Sequence, residues 1–141
     1  MAQSDLARMC SAIHHRGPDE SGFALLDSNR LGFAHVRLSI VDLEGGQQPM
    51  ATPDGKVWIS FNGEIYDYKS QRDELVKLGY PFKTKSDTEV ILAAYHYWGL
   101  DFLEHLNGEF AFVLWDSIER RLIAARDPVG VKPLYFKNDS K

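Results

Sequence analysis

A change of hydrophobic period in the middle of the chain limits the folds open to it. Residues 67–99 read as two helices, and most of what lies on either side reads as strand. Asp67 is placed as an N-cap, and its segment stops at Gly79 with Pro81 two residues beyond. Ser86, Asp87, Thr88 and Glu89 then fit a capping box, with Ser86 as N-cap and Glu89 as N3. The helix they open carries Val90, Ile91, Ala94 and Trp98 and is stopped by Gly99. Ahead of this block, 22–27, 30–43 and 57–64 are rich in Val, Ile, Leu and Phe, and TPDGK (52–56) is a hairpin turn. After it, a short helical stretch (100–106) and an Asn107-Gly108 turn lead to a hairpin of 109–116 and 121–127. A last strand is expected over 132–136. At the N-terminus, Ser4 can cap a helix whose apolar positions are Leu6, Met9, Cys10 and Ile13, with Gly17-Pro18 as its break. Strands around a helical block predict an α+β sandwich with helices packed on sheet.

Composition narrows the class. With 44% hydrophobic and 26% charged residues, 141 residues make one globular domain with no repeat or linker. A net charge of -4 argues against nucleic acid or an anionic membrane as the main partner. One cysteine excludes an internal disulfide framework and points to a reducing compartment. No secretion signal is visible, and the apolar run at 90–98 is too short to span a bilayer. The expectation is a soluble, cytoplasmic chain.

Three polar interruptions of buried-looking segments are candidates for chemistry. Arg37 sits in an apolar strand, where it either pairs with an acid or grips a carboxylate with its planar fork. Asn62-Gly63 is either a turn or a pair of donors, side-chain amide plus backbone N–H, of the oxyanion-hole kind. Asp87 lies in the first turn of a helix, where the macrodipole alone favours a carboxylate, or it meets a ligand's ammonium. Together, Arg37 and Asp87 could read the two charged ends of a free amino acid.

Six segments in order, HHRGPDESG, AHVRLSIVDLEGGQQPM, ISFNGEIYDY, SDTEVILAAY, LNGEFAFVLWD and ARDPVGVKPLYF, resemble the glutaminase domain of asparagine synthetases. These are class II glutamine amidotransferases with the N-terminal-nucleophile hydrolase fold. The resemblance runs from about residue 6 to 136 and implies an αββα sandwich of two antiparallel sheets. It implies that Arg37 holds the glutamine α-carboxylate, with the backbone of Leu38 and Ile40 lining the pocket. It implies an oxyanion hole at Asn62 and Gly63, and substrate ammonium held by Glu64 and Asp87. Arg16 becomes a residue supporting the site.

The family's nucleophile is a cysteine at the mature N-terminus, whose own α-amine serves as base. This chain opens with MAQSDLARMC, inside what the family makes its first helix. Cys10 shares the apolar stripe of that helix and is read as a core residue. The expectation is an incomplete domain over 1–141, truncated at both ends and inactive as given. Its parent would hydrolyse glutamine to glutamate and ammonia, and supply the ammonia for amidation of aspartate. The alternative is a non-catalytic amidotransferase-like binding module. The resemblance implies no metal and no cofactor for this domain, with ATP and Mg belonging to the synthetase domain. Expected partners are glutamine or glutamate, that synthetase domain or subunit, and a second copy joined through exposed sheet edges.

Overall fold

The computed structural model describes residues 2–38 and 45–138. In chain order the elements are helix α1 (Gln3–Ala12), a 3-10 turn (His14–Arg16), and strands β1 (Glu20–Leu26) and β2 (Leu31–Arg37). Strands β3 (Met50–Ala51) and β4 (Val57–Ile65) follow, then helices α2 (Tyr68–Lys77) and α3 (Asp87–Trp98). A second 3-10 stretch (Gly99–His105) precedes strands β5 (Gly108–Asp116) and β6 (Arg121–Arg126). β1 and β2 form a two-stranded antiparallel sheet, and β3-β4-β5-β6 form a four-stranded antiparallel one. The Gln48–Pro49 peptide is cis.

Side-chain alternation on β4 sets the layers. Ile59, Phe61 and Ile65 are buried on one face against Ile91, Leu92, Phe102, Phe112 and Leu114. Ser60 lies on the opposite face and meets His35 of β2 at 3.1 Å. The small sheet therefore covers the far face of the large one, and α1 covers the small sheet with Leu6 and Cys10. The sandwich expected from the strand–helix–strand pattern is formed. Each wholly buried Leu, Ile or Phe contributes about 1.5–3 kcal/mol, so the α3–β4–β5 cluster dominates stability.

Several local expectations change. α1 starts at Gln3, so Ser4 is inside the helix, and the Asp5 carboxylate accepts the Ala2 N–H at 3.1 Å. Of the proposed apolar stripe, Leu6 and Cys10 are buried while Met9 and Ile13 are exposed. α3 begins after Ser86 as expected, and Ser86 Oγ accepts the Thr88 N–H at 3.2 Å. Its reciprocal half does not form: the Glu89 carboxylate turns to the backbone N–H groups of Lys83 and Thr84. Those donors lie in a strandless segment and would otherwise be unpaired, which outbids the box. Residues 132–136 are not a strand, because no described strand lies beside them; Tyr135 and Phe136 stand 90% and 89% exposed. The stretch 39–43 of the expected second strand lies outside the described residues.

Candidate functional site

The site is built on one edge of β4. Antiparallel pairing alternates, so every second residue of β4 directs its N–H and C=O away from β5. Lys56 and Tyr66 bond toward the β5 side, accepting from Ser117 and donating to Asn107, which assigns the even positions to β5. The odd positions face the other way. There Ile59 pairs with Met50 of β3, but β3 is only two residues long and ends the ladder. Beyond it, side chains take over. The Gln48 amide accepts from the Phe61 N–H at 2.6 Å and donates to the Phe61 carbonyl at 2.9 Å. Two pairs further on, the Asp87 carboxylate accepts the Ile65 N–H at 3.1 Å. Gly63 lies between them, its N–H on the same open edge.

Gly63 also has a φ of 152°, and a Cβ on it would collide with the Glu109 carbonyl across the ladder. Glycine is required there by backbone approach. Asn62-Gly63 is therefore not a turn; both residues are inside β4.

A cavity of about 300 Å³ opens on this edge. Arg16, Arg37, Leu38, Asn62, Gly63, Glu64 and Asp87 all line it, at the small end of the roughly 300–1,000 Å³ usual for small-molecule sites. Ile40 lies outside the described residues. Strand β2 delivers Arg37 and the chain leaving it delivers Leu38; β4 delivers Asn62, Gly63 and Glu64; the N-terminus of α3 delivers Asp87. Arg37 is buried, and its Nη1 donates to Glu20 Oε2 at 2.9 Å. The two readings of Arg37 are thus compatible: it pairs with an acid and also faces the cavity.

Asp87 is 6% exposed, and no lysine or arginine pairs with it among the described residues. Burial raises its carboxyl pKa; the Ile65 N–H opposes that rise, and the charge of nearby Glu64 adds to it. A buried carboxylate that no described cation pairs with is suited to an incoming ammonium group.

Several lining residues were not singled out from the sequence, among them His35, Gln48 and the ion pair of Lys132 with Glu109 at 2.8 Å. His35 shares the inward face of β2 with Arg37, and their i, i+2 spacing was the available signal. Burial, and then the charge of Arg37, push its imidazole down to about 4, so it is neutral at physiological pH. Gln48 was legible only as part of a loop, since nothing local tells which side-chain amide will replace a strand. Cys10 lines no described cavity; its Sγ lies 3.6 Å from the His35 carbonyl oxygen and 3.9 Å from that of Gly22, in the core position expected. A larger cavity, about 570 Å³, sits at the far end of β4 beside Val57, Tyr80 and Leu92 and holds none of the expected residues.

A family model described as glutamine amidotransferase domain matches residues 1–141. The chain is 46% identical over 131 residues to asparagine synthetase (glutamine-hydrolysing) 1 of Bacillus subtilis (strain 168), covering 93% of this chain and 20% of that protein. It is 44% identical over 133 residues to amidase chry2 of Gibberella zeae, covering 94% of this chain and 20% of that one. Among solved structures, glutamine phosphoribosylpyrophosphate amidotransferase from B. subtilis superposes with a TM-score of 0.59 at 26% identity, covering 72% of this chain and 24% of that one. The chain thus spans about a fifth of the length of the curated relatives it matches. No helix among the described residues is long and apolar enough to cross a membrane. On the family match and these relatives, the chain belongs to the glutamine amidotransferase domain family.

Proposed function

We propose that this chain is the glutamine-binding portion of an asparagine-synthetase-type enzyme. The parent protein hydrolyses glutamine to glutamate and ammonia, and the ammonia amidates aspartate. One observation carries the reading. A single cavity is lined by the Arg37 guanidinium, a buried carboxylate that no described lysine or arginine pairs with, and an open strand edge carrying the Gly63 N–H. An α-amino acid presents a carboxylate to Arg37 and an ammonium to Asp87 and Glu64. Its side-chain amide oxygen is then received by Asn62 and the Gly63 N–H. Those same donors would stabilise the oxyanion of an attacked amide.

The attacking group is not supplied by Cys10, which is buried away from the cavity. The chain as given binds glutamine and does not turn it over. Calorimetry with glutamine and glutamate, beside an ammonia-release assay, tests both halves. Arg37→Lys keeps the charge and loses the bidentate fork, so affinity falls by about 1 kcal/mol or more. Equal affinity in that variant means that Arg37 is structural. Ammonia release that disappears in Cys10→Ala overturns the assignment of Cys10 to the core.

A further inference from the structure

We propose that Gln48 is a positioning residue for amide recognition, acting through the open edge of β4. The proposal rests on the glutamine-binding reading of the cavity and assigns a job to a residue to which the resemblance gave no role.

The register makes the case. Met50 pairs with Ile59 and Ala51 with Trp58, so a continued strand would set residue 48 opposite Phe61. The backbone of Gln48 does not take that place. Its carbonyl instead packs against Gly22 of β1, where no Cβ would fit. Its side chain reaches back and makes the two bonds a strand partner would have made, to the Phe61 N–H and C=O. The same Nε2 also lies 3.3 Å from Thr88 Oγ1, one residue past Asp87.

Gln48 thus rests on β1 of the small sheet and joins two parts of the cavity wall, β4 beside Asn62 and α3 beside Asp87. A backbone strand running on past residue 48 would have approached Gly63 and competed for its N–H. A single side-chain amide satisfies Phe61 and stops there. The Gly63 N–H stays available, and its distance from Asp87 is fixed through Thr88. Gln48 itself lines the cavity.

The test compares glutamine with L-norvaline, which keeps both charged ends and lacks the side-chain amide. Calorimetry is run on the parent chain, Gln48→Met, Gln48→Glu and the control Gln47→Met, with melting curves and amide NMR on the same samples. Gln47 is exposed and has no described bond to β4. In the parent and in Gln47→Met, glutamine binds more tightly than norvaline. In Gln48→Met that preference collapses by about tenfold, norvaline affinity holds, and the Gly63 amide resonance shifts. Gln48→Glu keeps the acceptor for the Phe61 N–H and loses the donor, so it loses the preference as well; it decides the question if the methionine variant does not fold. An unchanged preference in a folded variant overturns the proposal. So does a loss of both ligands in step with a lowered melting temperature, because Gln48 is then only structural. If the parent chain binds neither ligand, the glutamine reading falls, and the Gly63 resonance decides alone: moved in Gln48→Met, the positioning role stands; unmoved, it does not.

Discussion

At Asp87 one buried carboxylate costs the protein stability at neutral pH. Its folded pKa lies above the usual 3.8, first because it is buried and then because Glu64 is near. A raised folded pKa means that the folded state holds the proton more tightly than the unfolded chain. Stability from this group is therefore greatest below 3.8 and falls as pH rises through the raised value, staying low at neutrality. Asp87→Asn removes the charge and keeps an oxygen for the Ile65 N–H. The variant should melt higher than the parent at pH 7, with the advantage shrinking toward pH 4, and should lose glutamine affinity. A melting series over that range checks the sign, and a variant less stable at pH 7 contradicts it. Asp127 shows the opposite case. Burial pushes its carboxyl up, but the N–H groups of Lys132, Val131, Phe110 and Gly130 more than reverse this and hold it at about 2. It is a buried acid that fixes the β6 exit loop and needs no ligand.

At the scale of elements, β4 and β5 are the frame on which the site depends. Their nine-residue register runs from Val57 opposite Asp116 to Ile65 opposite Gly108. Gly63 faces Phe110 within that register, at a φ that disfavours any side chain. Gly63→Ala must push β4 from β5 or twist the edge that carries the N–H. A loss of about 2 kcal/mol or more is expected, together with glutamine binding. Chemical denaturation of the variant measures the first and calorimetry the second. A variant of parent stability would show that the strands can part at no cost. The sheets are also clasped at the opposite end: Arg120 in the β5–β6 turn meets Asp27 in the β1–β2 turn at 3.3 Å, between exposed groups that contribute little. One member of the basic pair at 120–121 is thus an inter-sheet contact.

At the scale of the molecule, the two sheets are unequal. The four-stranded sheet has α3 on one face, with α2 packed against α3, while β1 and β2 stand as a pair with outer edges that no full described strand covers. Phe23 is 41% exposed on that pair, and the segment bearing Tyr135 and Phe136 lies open. Open edges beside apolar surface recruit other chains, so the chain should self-associate as its concentration rises. Sedimentation over a wide concentration range tests this, and a monomer throughout means that the edges are protected. The sequence by itself determined the α+β pattern, the two central helices and every described strand but the two-residue β3, because periodicity and turn chemistry are local properties. The resemblance selected Arg37, Asn62, Gly63, Glu64 and Asp87, and they do line one cavity. Tertiary structure alone decided the rest. Whether 132–136 becomes a strand depends on a neighbour to pair with, and whether Glu89 closes a capping box depends on competing donors brought close by the fold. Gln48 could take the place of a strand partner only after β3 had ended and β4 had turned its unpaired edge toward it. Hydrogen-bond satisfaction is a balance over the whole molecule, so no local pattern reveals which distant side chain will complete it.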